Sequence, residues 1–123
     1  MKYLLDTNSC IYLFAGEYPA LIARVADQPA GSLAISAISY AEIALGTHHG
    51  KSPEPEQLRA FVEEIAVVPF DTAAAQAYAT LPFQRGNFDR LIAAHALALG
   101  VPLISRNLKD FSIAGLRVED WTL

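Results

Sequence analysis

Four side chains with oxygen donor atoms lie far apart in the chain but occupy comparable positions. Asp6 directly follows an apolar run, and Asn107 follows a later one. Glu42 lies in the helical stretch after another apolar run, and Asp89 lies at the start of a helical stretch. Carboxylate and amide oxygens are hard donors that suit Mg²⁺ or Mn²⁺ better than Zn²⁺. Because such a cation can polarise a phosphodiester and activate water, the pattern indicates metal-dependent phosphodiester hydrolysis.

These residues can meet if the chain folds into a parallel sheet. Short, continuous apolar runs alternate with helical stretches, which is typical of a parallel sheet covered by helices on both faces. We therefore predict an α/β fold, a three-layer α/β/α sandwich with a short, mainly parallel sheet of four to five strands. The predicted strands are residues 3–5, 33–36, 66–69, 103–105 and 116–118. Ligands bind beyond the carboxyl ends of such strands, so the four oxygen-bearing residues are expected at one rim of the sheet.

Several ionised carboxylates at one rim would repel each other. At a separation of about 5 Å and an effective dielectric constant of about 20, each pair repels by roughly 3 kcal/mol. A divalent cation would relieve this repulsion. We predict that Asp6, Glu42 and Asp89 bind Mg²⁺, with Mn²⁺ as a substitute, and that Asn107 lies beside them.

Each of the four residues also has a purely structural interpretation. Asp6 can cap the first helix, although Thr7 and Asn8 are the caps expected there. Ser39-x-x-Glu42 has the form of a capping box that would open a helix ending at Gly46. Asp89 can stabilise its own helix through the helix dipole, and Asn107 can be an ordinary turn residue. The prediction of a metal site therefore depends on the convergence of all four.

The composition indicates one globular domain spanning residues 1–123. Hydrophobic residues make up 53% of the chain and charged residues 18%, which excludes intrinsic disorder. Cys10 is the single cysteine, so the chain cannot form an internal disulfide or a cysteine zinc site. The longest nearly apolar stretch is shorter than the ~20 residues of a membrane span. An acid at position 6 does not fit a signal peptide, so we expect a cytoplasmic protein without membrane contact.

The charge distribution suggests a phosphate-binding region in an acidic protein. The net charge is −4, which argues against a broad nucleic-acid-binding surface. Residues 85–109 nevertheless contain four basic residues and one acid. We predict that these basic side chains hold flanking phosphates of the substrate; they are Arg85, Arg90, Arg106 and Lys109. The histidines His48, His49 and His95 give weaker signals, and the tyrosines are scattered along the sequence without forming a base-stacking platform.

The sequence resembles PIN-domain ribonucleases, in particular the VapC-type toxins of bacterial toxin–antitoxin systems. The resemblance extends from about Tyr3 to Trp121. The matching stretches are Leu4-Leu5-Asp6-Thr7-Asn8, Ile35-Ser36 with Tyr40-Ala41-Glu42 and Gly46, Phe88-Asp89-Arg90-Leu91-Ile92-Ala93-Ala94-His95-Ala96, Ser105-Arg106-Asn107, and Gly115-Leu116-Arg117-Val118-Glu119-Asp120-Trp121. The third of these stretches is the most specific.

The resemblance implies metal-dependent RNA cleavage, inhibition of translation and neutralisation by a cognate antitoxin. It also implies a homodimer that contacts DNA only through the antitoxin. Asn107 stands where many PIN domains have a fourth acid, so the resemblance implies one carboxylate fewer here. Thr7 and Ser105 are placed to hydrogen-bond the acids or a metal-bound water. The segment 81–87 is short compared with that of family members, which leaves the choice of RNA open.

Three other functions remain open from the sequence. A haloacid-dehalogenase-type phosphatase would need an aspartate at position 8, which is Asn8. A receiver-type signalling domain would need an acidic pair before Asp6 and a late lysine after a strand. A catalytically inactive PIN module that only binds a partner is the third. For the homodimer, the early helices carry an apolar set that is predicted to form the interface: Ile11, Leu13, Phe14, Leu21, Ile22 and Val25.

Overall fold

Five short strands form one fully parallel sheet in the computed structural model, which describes residues 1–84 and 88–123. The strands are β1 (Tyr3–Leu5), β2 (Leu33–Ser36), β3 (Ala66–Val68), β4 (Leu103–Ile104) and β5 (Val118–Glu119). Their order across the sheet is β3-β2-β1-β4-β5, so β1 is central. The predicted parallel sheet is confirmed, although β5 lies slightly later in the chain than expected.

Helices cover both faces of this sheet. They are α1 (Thr7–Ala15), α2 (Pro19–Ala26), α3 (Ala37–His48), α4 (Pro55–Glu64), α5 (Thr72–Ala79) and α6 (Phe88–Leu99). Successive strand residues point to opposite faces. Leu5, Ile35 and Ile104 accordingly pack in a core shared with α1 to α4. Leu4, Ala34 and Leu103 point to the other face and pack in a second core with α6. Helix α5 packs against α6. The three-layer α/β/α prediction is confirmed.

The start of α3 differs from the prediction. Ser36 ends β2 and also caps the helix, since its hydroxyl accepts a hydrogen bond from the Ile38 amide at 3.0 Å. Ser39 is therefore buried inside the helix, and the predicted capping box with Glu42 is wrong. The strand runs into the helix without a loop, so the first serine takes the cap and the second does not. The helix also continues past Gly46 to His48.

The apolar side chains of the early helices serve mainly the core of the chain itself. Leu21 is fully buried, and the other members except Ile22 are partly buried against the same core: Ile11, Leu13, Phe14 and Val25. The Phe14 and Phe61 rings, for example, lie 4.8 Å apart and join α1 to α4. The set therefore contributes to the core of the chain, with Ile22 exposed, and its role in a homodimer interface stays a prediction. No helix within 1–84 and 88–123 is long and apolar enough to cross a membrane.

Candidate functional site

Asp6 lies at the carboxyl end of the central strand and is almost completely buried. One carboxylate oxygen accepts a hydrogen bond from the Ser9 amide at 2.8 Å, so Asp6, and not Thr7 or Asn8, caps α1. Burial raises the pKa of Asp6, while hydrogen bonds from Ser105 and Ser9 oppose the rise. The cap fixes the carboxylate at the rim of the sheet, where the sequence placed it.

Glu42 lies on the second turn of α3 and is held by the first residue of α1. The Thr7 hydroxyl donates a hydrogen bond to Glu42 Oε1 at 2.7 Å. This contact joins residues 35 positions apart and brings Glu42 next to the carboxyl end of β1. Thr7 therefore contributes to the site through its side chain, as the sequence suggested, although it is not the helix cap.

Asp89, in the first turn of α6, has the most perturbed carboxyl group of the site. Partial burial and the negative charges of Asp6, Glu42 and Asp110 raise its pKa from 3.8 to about 6, with burial the largest cause. Electrostatic interactions of this kind act only over short distances in a salt solution. Asp89 therefore lies within electrostatic range of the two other predicted carboxylates and of a fourth acid, Asp110.

Asp110 is the residue that the sequence analysis missed. The Asn107 side-chain amide donates a hydrogen bond to its carboxylate, and the Asn107 backbone amide donates to the Ser105 hydroxyl at 2.9 Å. The Ser105 hydroxyl also bonds Asp6. Asn107 thus links two acids: position 107 itself is neutral, and Asp110 provides a carboxylate beside it. The Asn107-x-x-Asp110 spacing after β4 is the sequence signal that could have indicated this acid. The count of charges over residues 85–109 ends one residue before it.

The predicted phosphate-binding residues differ in their surroundings. Arg85 lies outside the described residues. Arg90 donates a hydrogen bond to Gln84 at 2.9 Å, and its Nε atom is buried without a partner within the described chain. Arg106 and Lys109 are exposed and follow β4 closely. The two residues after β4 are therefore the freer candidates for contact with a substrate.

His95 is buried in α6 and connects the two helices that carry Glu42 and Asp89. Its Nδ1 atom lies 2.8 Å from the Ser36 hydroxyl, which caps α3, and the Phe70 ring meets its ring edge-on. Burial lowers the pKa of His95, which favours the neutral form of the ring. His95 is thus a core residue that fixes the spacing of α3 and α6 beneath the rim.

The donor set at the rim fits a hard divalent cation. Its acidic side chains offer oxygen donor atoms only, and the negative charges of Asp6, Glu42 and Asp110 act on Asp89. Among residues 1–84 and 88–123, no three carboxylate, imidazole or thiol groups are already arranged to hold one ion. Ionised carboxylates repel each other, so a cation would be needed to draw these groups together.

Comparison with known proteins identifies the family of this chain. The PIN domain family matches residues 3–115. The chain belongs to the PIN-domain family. A relative from Shigella flexneri named "tRNA(fMet)-specific endonuclease VapC" is 33% identical, with 99% of each chain aligned. PIN membership settles the fold assignment against the phosphatase and receiver alternatives.

Two solved structures resemble this PIN domain over nearly their full length. The structure of VapBC-1 from nontypeable Haemophilus influenzae matches with a TM-score of 0.81 and 32% identity, covering 100% of both chains. A toxin–antitoxin complex from Klebsiella pneumoniae matches with a TM-score of 0.76 and 27% identity, covering 97% of both chains.

Proposed function

We propose that this PIN domain is a metal-dependent endoribonuclease and the toxin of a toxin–antitoxin pair. The observation that carries the proposal is the PIN-domain match over residues 3–115, in which hydrogen bonds hold Asp6 and Glu42 at the carboxyl end of β1. The raised pKa of Asp89 agrees with further acids nearby. A rim of this charge destabilises the protein at neutral pH, and a divalent cation would relieve the cost. The named activity of the Shigella flexneri relative supports RNA as the substrate.

We assign the cation to Asp6, Glu42 and Asp89, with Asp110 and Asn107 beside them. A bound Mg²⁺ or Mn²⁺ would supply an activated water and stabilise negative charge on the phosphate. The chain's own residues prepare the site for it. Asp6 is fixed by the α1 cap and by Ser105, and Glu42 is oriented by Thr7. These hydrogen bonds hold both carboxylates at the rim, and the Thr7 contact is made to Oε1 of Glu42.

Arg106 and Lys109 are proposed to bind phosphates that flank the scissile bond, together with Arg90 and Arg85. Such contacts position the RNA without reading its sequence. They also offset the repulsion between the acidic rim and the RNA backbone. RNA affinity is therefore expected to fall steeply with salt concentration, and each phosphate contact that is removed should reduce the salt dependence by about one unit of slope.

We infer a cognate antitoxin as partner, a homodimer as the assembly and inhibition of translation as the result of cleavage. The Klebsiella pneumoniae toxin–antitoxin complex supports the partner. Contact with DNA would then occur only through the antitoxin. Light scattering of the purified chain at micromolar concentration tests the homodimer: we expect the mass of two chains, and a single-chain mass would contradict it.

RNA cleavage tests the proposed function directly. The purified protein is incubated with total bacterial RNA in Mg²⁺, in Mn²⁺ and in EDTA. We expect fragments in either metal, none in EDTA, and none with Asp6→Asn, which keeps the helix cap but removes the charge. Glu63→Gln is the matched control, since it removes an exposed acid on α4. Intact RNA in all three conditions would leave the protein an inactive PIN module and overturn the proposal.

A further inference from the structure

Tyr18 has a backbone conformation that is unusual for a large side chain. Its φ is 59° and its ψ is 83°, and within the described part of the chain it is the one non-glycine residue with a positive φ. It stands at the N-terminal boundary of α2, directly before Pro19. The left-handed region is sterically unfavourable for a residue with a bulky side chain, so surrounding contacts must compensate for the cost.

Two side chains from other elements hold the Tyr18 ring. The Tyr12 ring of α1 meets it edge-on, with ring centroids 4.9 Å apart and an interplanar angle of 71°. The guanidinium carbon of Arg106 lies 5.2 Å from the Tyr18 ring centroid, in cation–π contact. The fold thus joins Tyr12 and Tyr18, two of the tyrosines scattered along the sequence, in one cluster with Arg106. Both rings are half-buried, whereas Arg106 is exposed.

This cluster borders the carboxylate rim. Arg106 directly follows Ser105, whose side chain bonds Asp6. The pKa of Tyr12 is raised by burial and Tyr18, lowered by the charge of Arg106 and raised by that of Asp6. The arginine and the aspartate therefore lie within electrostatic range of one phenol. None of the salt bridges found between described residues involves Arg106.

We propose that Tyr18 is a positioning residue that holds the Arg106 guanidinium in place to bind an RNA phosphate beside the carboxylate rim. The inference rests on the proposed ribonuclease function. An exposed arginine samples many rotamers, and fixing it on binding costs affinity. A ring beneath the guanidinium removes part of that cost in advance and leaves its N–H groups free at the edges, where they can bind phosphate oxygens in pairs.

The strained backbone fits this role. A glycine at position 18 would adopt the same φ without strain, but it would offer no ring to the guanidinium. The phenol hydroxyl has no part in the contact with Arg106, so phenylalanine should serve equally well. Tyr18→Gly and Tyr18→Phe therefore distinguish the effect of the backbone conformation from that of the ring. Tyr18→Ala removes the ring but keeps a Cβ atom.

The experiment is a double-mutant cycle on Tyr18 and Arg106, measured as the Kd for an RNA oligonucleotide in EDTA and as KM and kcat in Mg²⁺. We expect Tyr18→Ala to raise Kd and KM about three- to tenfold, the usual cost of ordering one long side chain, with kcat nearly unchanged. Tyr18→Phe should match the parent. In the Arg106→Ala background, Tyr18→Ala should have no further effect.

Tyr3 provides the matched control. It is also a half-buried tyrosine with an edge contact at 4.9 Å, to Trp121, but it lies at the opposite end of β1 from Asp6. Tyr3→Ala should lower stability without raising KM. If Tyr18→Ala does not fold, Tyr18→Gly takes its place in the cycle, because glycine tolerates the left-handed backbone.

Several results would overturn the inference. They are additive effects of the two substitutions, a Tyr18→Phe variant as weak as Tyr18→Ala, or an Arg106→Ala variant that binds RNA as well as the parent. If Tyr18→Ala weakens binding of the antitoxin but leaves RNA affinity unchanged, Tyr18 and Arg106 contact the antitoxin and not RNA. Failure of the proposed function is recognised separately, because Kd is measured without cleavage. Coupled effects of the two substitutions on Kd, with no cleavage in Mg²⁺, would refute the ribonuclease activity but support the role of Tyr18 and Arg106 in RNA binding.

Discussion

Replacing Asp89 by asparagine should make the metal-free protein more stable at neutral pH. The Asp89 carboxylate is partly buried and faces the charges of Asp6, Glu42 and Asp110. Asparagine has nearly the same shape and can still accept hydrogen bonds, but it carries no charge. The substitution therefore removes the repulsion and the cost of burying a charge while keeping the packing of α6.

The size of the effect follows from the pKa. A rise from 3.8 to about 6 corresponds to about 3 kcal/mol, at about 1.4 kcal/mol per pH unit. Because the side chain is partly exposed, solvent screening reduces this to about 2 kcal/mol. For a chain of 123 residues, 2 kcal/mol raises the Tm by about 8 °C.

The stability gained by Asp89→Asn depends on pH. Between about pH 4 and pH 6 the folded protein keeps a proton on Asp89 that the unfolded chain has released, so the free energy of unfolding falls as pH rises through this window. The advantage of Asp89→Asn should consequently be near zero at about pH 4 and complete above about pH 6.

Urea unfolding of both proteins in EDTA, at about pH 4 and at neutral pH, measures this difference. Glu63→Gln, which removes an exposed acid of α4, is the control and should change little at either pH. Adding Mg²⁺ should stabilise the parent and leave Asp89→Asn nearly unchanged. Equal stability of parent and Asp89→Asn at neutral pH in EDTA would refute the electrostatic reasoning.

Three further results are expected from the same set of contacts. Glu42→Gln should abolish most Mg²⁺-dependent RNA cleavage but cost less than about 1 kcal/mol in urea unfolding, because its amide oxygen can still accept the Thr7 hydroxyl; cleavage at the parent's rate would remove Glu42 from the site. Asp6→Ala should lose about 1 kcal/mol of stability in EDTA relative to Asp6→Asn, because only asparagine can still accept the Ser9 amide; equal stability would exclude the cap. Burial lowers the pKa of His95, so protonation of this ring should lower the free energy of unfolding as the pH drops below about 6.5. His95→Phe should remove this contribution and flatten the pH dependence of stability in that range. An unchanged profile would contradict the burial of a neutral ring.

The sequence was sufficient to predict the sheet and the placement of its acids. Buried parallel strands appear as continuous apolar runs, and the first residue after such a run lies at the carboxyl edge. Asp6 is the clearest case. Asp89 was also predictable, because a helix that leads back to a parallel strand begins at that same edge.

The remaining features depend on contacts that no local pattern encodes. Ser36 and Ser39 are both good helix caps, and only the direct passage from β2 into α3 selects Ser36. Asp110 follows β4 in an irregular segment, where no periodicity shows which way a side chain points. The pairing of Tyr12 with Tyr18 depends on a left-handed backbone after α1, which is not expected for a tyrosine.

The central claim is that the rim of acids binds a divalent cation. The most direct measurement is a titration with Mn²⁺, in which the paramagnetic resonance signal of the free ion reports how much is bound. We predict saturable binding by the parent and by Glu63→Gln, and binding weakened at least tenfold in Asp89→Asn, as expected for the loss of one charged ligand. The absence of saturable binding, or equal affinity in the parent and Asp89→Asn, would contradict the claim.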